Sequence, residues 1–246
     1  MTYTNPIVKA VFIKRPNRFI AHVELAGREE IVHVKNTGRC RELLVPGAVV
    51  YLEDCRHIPQ RKTRYSLIAV EKGSMLVNMD SQAPNAVVAE ALAAGALTPF
   101  PAPAKMKREV TYGSSRFDLA VEWDRGPDLP TQRGLIEVKG VTLEENGIAA
   151  FPDAPTIRGA RHVLELAEAA QQGITAALVF LMQMTGPRLF VPHWNRDPAF
   201  GKALVTAQKA GVDILAFDAR VTPEEMTLGN PLPLQLQALP PGQQPE

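Results

Sequence analysis

Arg116-Phe117-Asp118-Leu119-Ala120-Val121-Glu122-Trp123, followed after a loop containing Gly126-Pro127 and Pro130 by Gly134-Leu135-Ile136-Glu137-Val138-Lys139, is the stretch on which the fold turns. Both runs are short, apolar and bounded by breakers, as strands are. The first follows Glu109-Val110-Thr111-Tyr112 across the turn Gly113-Ser114-Ser115, which makes the pair a hairpin. Glu137 and Lys139 are two apart, so on an extended chain they share one face of a sheet while Val138 packs into the other. If the two strands pair, Asp118 reaches the same face. Asp118, Glu137 and the Val138 carbonyl then offer hard oxygen ligands to Mg²⁺ or Mn²⁺; Mg²⁺ uses few protein oxygens and keeps several waters. Lys139, held beside the cation, is placed to orient a water or to stabilise charge on a phosphate. Glu90, on the preceding helix, is a further candidate metal ligand.

Working outward, Ser81 to Leu97 carries a capping-type Ser, Pro84 near a first helical position and Gly95 as a stop, and predicts a helix. Beyond Lys139 a helix is expected from about Ile157 to Gln172, a buried strand from Ala176 to Met182, a helix from Pro198 to Ala210 and a strand from Asp213 to Phe217. This order describes a mixed sheet flanked by helices, spanning residues 81–230. Residues 231–246 form a Pro/Gln-rich tail, with Gln243-Gln244-Pro245-Glu246 expected to fray. Residues 1–80 read differently, as short strands at Val8–Ile13, Phe19–Leu25, Ile31–Lys35, Ala48–Leu52, Tyr65–Val70 and Met75–Met79. Strands with almost no helix between them predict a small OB-like β-barrel. The fold class is therefore α/β (α+β): an OB-like barrel followed by a mixed-sheet domain.

Net charge is only +1, but it is unevenly spread: residues 1–72 carry +6, residues 73–120 carry 0 and residues 121–246 carry −5. A basic first part points to a polyanion partner. Arg39, Arg61, Lys62 and Arg64, together with Lys14, Arg15, Arg18 and Arg41, are the candidate phosphate contacts of the barrel, and Phe12, Phe19, Tyr51 and Tyr65 are candidate base-stacking residues, although most sit in apolar strands and read as barrel filling. On the helix after the metal strand, Arg158, Arg161 and His162 stand at i, i+3 and i+4 and share a face, which suits contact with a phosphate. The bland alternative there is a solvated face with an Arg161–Glu165 pair.

With 46% hydrophobic and 22% charged residues the chain is neither disordered nor fibrous. Cys40 and Cys55, with no CxxC, argue against a disulfide framework or a cysteine-zinc site and for reduced thiols in the cytoplasm. There is no signal-peptide pattern, and the most apolar run, Ile174 to Met184, is too short to span a bilayer, so no membrane association is expected. The five histidines show no metal spacing, and there is neither a GxSxG nor a Walker A motif.

The Asp…Glu-x-Lys pattern resembles the metal-binding motif of the PD-(D/E)xK nuclease superfamily. The text around it is more specific: Tyr112–Asp118, Ile136–Leu143 and Phe151–Leu166, with Asn36-Thr37-Gly38-Arg39 and Glu42–Gly47 upstream, is similar to the hallmarks of the sugar fermentation stimulation protein family. The resemblance runs from about Pro6 to Leu236. It implies a cytoplasmic bacterial or archaeal protein with an N-terminal OB domain and a nuclease-like second domain. It also implies sequence-independent DNA binding and a regulatory role in sugar, especially maltose, metabolism. One departure is Gly140, where family members often place a small polar residue after the motif lysine. Two functional readings follow: a DNA-binding protein on a nuclease scaffold, and an active Mg²⁺-dependent DNA phosphodiesterase.

Overall fold

Period-two alternation builds the first domain. In β1 (Ile7–Lys14) Ala10 and Phe12 turn inward, as do Ala21 and Val23 of β2 (Ile20–Leu25) and Val32 and Val34 of β3 (Arg28–Val34). β2 and β3 join through Ala26 and Gly27, both at positive φ (52° and 76°), the conformation that a two-residue hairpin turn demands. With β4 (Val49–Asp54) and β5 (Tyr65–Lys72) the order is β3-β2-β1-β4-β5, and His33 and Val34 close it by pairing in parallel with Ser66 and Leu67. Closure leaves the five strands without a free edge. This is the expected OB-like barrel. β6 (Met75–Asn78) pairs with β5 and leads the chain into the second domain. The computed structural model describes residues 1–36 and 38–240, so Thr37 of the Asn36–Arg39 motif and the expected frayed end Gln243–Glu246 lie outside the described residues.

The second domain begins with α1 (Ala83–Ala93) and continues through β7 (Lys105–Tyr112), β8 (Ser115–Trp123), β9 (Gln132–Val141), β10 (Glu144–Glu145), β11 (Ile148–Phe151), α2 (Ile157–Gln171), β12 (Thr175–Met182), β13 (Leu189–Pro192), α3 (Pro198–Lys209), β14 (Asp213–Val221) and β15 (Met226–Pro231). Its main sheet has the order β15-β14-β12-β9-β8-β7, with β9, β12 and β14 parallel and the flanking pairs antiparallel. α1 covers one face, where Val88 and Leu92 join Ile136, Val138 and Val179. α2 and α3 cover the other, where Leu166, Phe200 and Leu204 join Leu178 and Phe180. Thr156 and Asp197 cap these two helices by accepting from Gly159 N (2.9 Å) and Phe200 N (3.0 Å). No described helix is long and apolar enough to cross a membrane, and both cysteines are free and buried.

Three features lay outside the sequence reading. β7 starts at Lys105, earlier than expected, and a small sheet of order β10-β11-β13 stands beside the main one. The Pro/Gln-rich segment is also anchored: Phe190 N donates to Pro233 O (2.9 Å), Gln235 N to Phe190 O (3.0 Å) and Trp194 Nε1 to Leu236 O (2.9 Å). Leu232 and Leu236 pack into the α2–α3 core, an alternation of leucines that proline-rich composition masks.

The two domains are locked by Gln183, just past β12. Its Nε2 donates to Asn78 O (3.0 Å) and Asp80 O (3.1 Å), and its main-chain carbonyl accepts from Asn78 N (2.8 Å). Gly140 makes room for this latch, because a Cβ there would lie 2.4 Å from Gln183 Oε1 and 2.7 Å from Pro84 Cγ. Glycine after the motif lysine is thus a packing requirement of the domain junction. Gly140→Ala is expected to lower stability by about 1–3 kcal/mol through overpacking, read from the urea midpoint; an unchanged midpoint would show that Gln183 has other room.

Candidate metal centre

Glu137 and Lys139 take the same face of β9, as their spacing requires, and face α2. Lys139 Nζ sits against Glu137 Oε1, and His162 Nδ1 lies 2.7 Å from that same oxygen. Glu137 is 3% exposed, and its second oxygen, Oε2, is buried without a partner among the described residues. Val138, between them, packs on the α1 side.

Asp118 reaches this edge by a different route from simple strand pairing. The β8–β9 ladder stops at Leu119↔Ile136, one pair short of Asp118. The alternation of β8 breaks there too: Phe117 lies in the α2 core and Leu119, two residues on, in the α1 core. Across the hairpin the ladder skips Glu109, which has φ +56°, so both strands bend at this point. The bend frees the Asp118 carboxylate to take the place of a strand, with Oδ2 accepting from Val138 N (2.7 Å) and Oδ1 from Asn85 Nδ2 (2.7 Å). A strand residue's N–H and C=O leave the same edge, so the Val138 carbonyl also faces the Asp118 side. Burial, and next the nearby Glu137 charge, push the Asp118 pKa up to about 6, against the lowering effect of the Val138 N–H.

A pair of carboxylates that raises one member's pKa, a buried oxygen with no partner and a carbonyl turned to the same edge together suit a hard divalent cation. Among the described residues no group of three or more His, Cys, Asp or Glu side chains is placed to hold a metal alone. A cation here would therefore complete its shell with the Val138 carbonyl and water, as Mg²⁺ or Mn²⁺ prefers.

The structure does not bring every candidate here. Glu90 does not join the carboxylates: it lies 61% exposed, paired with the N-terminal ammonium at 2.5 Å, and five residues along α1 from Asn85 it points elsewhere. His162 is buried, with one nitrogen on Glu137 and the other accepting from Arg158 Nε (3.3 Å), so its ring is turned to the carboxylate and not to solvent. Arg161 is exposed and stands 3.9 Å from Glu165, the i,i+4 partner that the spacing allowed, although Glu165 itself is partly buried and accepts from Ser114. Asn85, which holds Asp118, carried no signal beyond a polar residue beside Pro84 in an apolar helix. A cleft of about 560 Å³ between barrel and α1 exposes Asp118, with Lys35, Glu53, Asp80 and Arg108 on its walls.

On the barrel, the cations divide. Arg61 is partly buried and donates to Ser66 Oγ (2.6 Å), holding its own loop, whereas Lys62 and Arg64 are exposed. A separate hollow of about 510 Å³ carries Lys14, Arg18, Arg39 and Arg41 on its rim. Arg15 braces it from beneath, donating to the carbonyls of Arg18 (2.7 Å), Asn36 (2.6 Å) and Arg39 (2.8 Å). Of the four aromatics, Phe12 and Tyr65 fill the barrel, Tyr51 bonds Glu71 (2.8 Å), and Phe19, beside Arg18, is 54% exposed.

A closed OB-type barrel latched to a mixed-sheet α/β domain, with two carboxylates and a lysine where the sheet's ladder parts, defines a two-domain class of protein. The chain belongs to the sugar fermentation stimulation protein (SfsA) family: residues 13–79 match the SfsA N-terminal OB domain and residues 82–225 the sugar fermentation stimulation protein RE domain. A sugar fermentation stimulation protein homolog of Alkaliphilus oremlandii is 53% identical over 232 residues, 94% of this chain and 98% of that one. A homolog of Clostridium botulinum is 47% identical over 236 residues, 96% of this chain and 100% of that one. The solved structure of Pyrococcus furiosus SfsA in complex with Ca²⁺ is 28% identical with a TM-score of 0.82, covering 96% of this chain and 99% of that one.

Proposed function

We propose that this protein is a sequence-independent DNA-binding protein whose second domain holds a divalent cation, Mg²⁺ or Mn²⁺, at Asp118 and Glu137 and cleaves phosphodiesters there. The observation that carries the reading is the partnerless buried Glu137 Oε2 beside an Asp118 whose proton is held up to about pH 6. The Ca²⁺ complex of the Pyrococcus relative supports it, since Ca²⁺ is likewise a hard cation bound by oxygen. When bound, the cation supplies charge stabilisation to the phosphodiester and lowers the pKa of a water. Asp118 and Glu137 would fix its place, Asn85 fixes Asp118, and the Lys139 ammonium, held beside Glu137, would stabilise negative charge on the phosphate oxygens. The regulatory role in sugar metabolism that the family resemblance implies would act through the same DNA binding.

The barrel supplies grip through Lys14, Arg18, Arg39 and Arg41, with Phe19 as a stacking surface. If these four cations each neutralise one phosphate of duplex DNA, log affinity falls with log salt at a slope of about −3.6, or about 150-fold between 50 and 200 mM. Fluorescence anisotropy on unrelated sequences is expected to show that slope, and reversal of Arg18, Arg39 and Arg41 to Glu to weaken every sequence alike. A flat salt dependence, or reversals without effect, would remove DNA binding from this face. Incubating the protein with single- and double-stranded DNA in Mg²⁺, Mn²⁺ or EDTA tests cleavage directly, and no cutting in either metal would leave the binding reading alone.

A further inference from the structure

α2 places an apolar stripe of Gly159, His162, Val163 and Leu166 against the sheet, so His162 is carried inward with 3% of its surface exposed. Its ring packs at a tilt on Phe117, with centroids 5.8 Å apart. A guanidinium has donors only and stays charged, so Arg158 Nε, 3.3 Å from His162 Nε2, requires that nitrogen to be the acceptor. The ring proton then sits on Nδ1 and is donated to Glu137 Oε1 at 2.7 Å. Lys139 meets the same oxygen. Among the described residues, the hydrogen bonding that the carboxylate receives falls on Oε1, and Oε2 is left buried and bare.

We infer that Arg158 and His162 are positioning residues that pin Glu137 by one oxygen so that the other is presented to the cation. The inference rests on the cation reading above and assigns to two residues a role that their helical spacing disguised as phosphate contact. Outer-shell partners of metal ligands characteristically act in this manner, by fixing orientation and basicity. A histidine that merely fills space would need neither a set tautomer nor a bond to the carboxylate.

The experiment is a calorimetric titration of the full chain with Mn²⁺, with Mg²⁺ as a second probe, on the parent and three variants. His162→Leu keeps apolar bulk without a donor and is expected to weaken the cation about 10–100-fold. His162→Asn, whose amide nitrogen sits near the position of Nδ1, is expected to recover most of that loss. Arg158→Met, which frees the tautomer, is expected to fall between them. Thermal melts in EDTA establish that each variant is folded, and the ¹⁵N shifts of His162 report the Nδ1–H tautomer in the parent without any metal. Parent-like affinity in His162→Leu, failure of Asn to recover affinity in a folded protein, or an Nε2–H tautomer would each overturn the inference while leaving the cation site standing. A parent that binds no cation would overturn the site and the inference together.

Discussion

Asp118→Asn and Glu137→Gln are each expected to abolish metal-dependent stabilisation and cleavage, while Lys139→Met keeps the first and loses the second. At a cation concentration about 100 times its dissociation constant, binding adds about 2.7 kcal/mol to the folded state, a readily visible upward shift of the melting curve. Each carboxylate variant removes an oxygen donor that the cation needs. Lysine offers no lone pair, so its loss removes no ligand, and with His162 still holding Glu137 Oε1 binding is kept while the rate falls by about 10²–10⁴. Asp118→Asn carries a second signature, in metal-free protein. The Asp118 pKa is raised to about 6 from an ordinary 3.8, so the folded state holds this proton more tightly than the unfolded state does. Its ionisation costs stability that is fully felt above pH 6 and is recovered as pH falls towards 4. In the Asn variant one of the two oxygens that accept from Val138 N and Asn85 Nδ2 becomes an NH2 donor, a loss at every pH, so its stability relative to the parent is expected to be lowest near pH 4 and to rise until pH passes 6. A metal shift that survives loss of both carboxylates would mean the centre lies elsewhere.

Phe180→Ala is expected to cost about 3–5 kcal/mol. Phe180 lies on β12, between β9 and β14, with no exposed surface. Its ring stacks on Phe190 at 4.2 Å and meets Phe151 at 5.6 Å and Phe200 at 6.4 Å, so truncation opens a cavity that three other rings border. The same three rings tie β11, β13 and α3 to the sheet, and Phe151 leads directly to Thr156 and the start of α2. Denaturant unfolding of the variant measures the cost, and Phe19→Ala, on the exposed rim of the barrel, is the matched control, expected to stay within about 0.5 kcal/mol of the parent. A loss below about 1 kcal/mol would show that the rings collapse to fill the gap.

Much of this was legible in the chain because it depends on local periodicity. Alternation over short runs specifies strands, and it placed Glu137 and Lys139 on one face with Val138 on the other, as found. Pro84 and Gly95 mark the ends of α1 by their own backbone chemistry, and that helix runs from Ala83 to Ala93. Even the burial of His162 was written in its stripe with Gly159, Val163 and Leu166, although its distance of one turn from Arg158 read as a shared solvent face.

What periodicity cannot carry is the identity of a partner distant in sequence. The bend that releases Asp118 from its ladder, the Asn85 amide 33 residues away that receives it, and the diversion of Glu90 to the N-terminal ammonium 89 residues away are decided only when α1 settles on the sheet. The division of the barrel's arginines is of the same kind: Arg15 and Arg61 turn inward to satisfy carbonyls and a hydroxyl, and Arg18, Arg39 and Arg41 are left facing solvent. A charge reads the same in sequence whether it binds its own protein or a ligand; desolvation and the hydrogen-bond needs of buried neighbours, which exist only in the packed state, choose between the two.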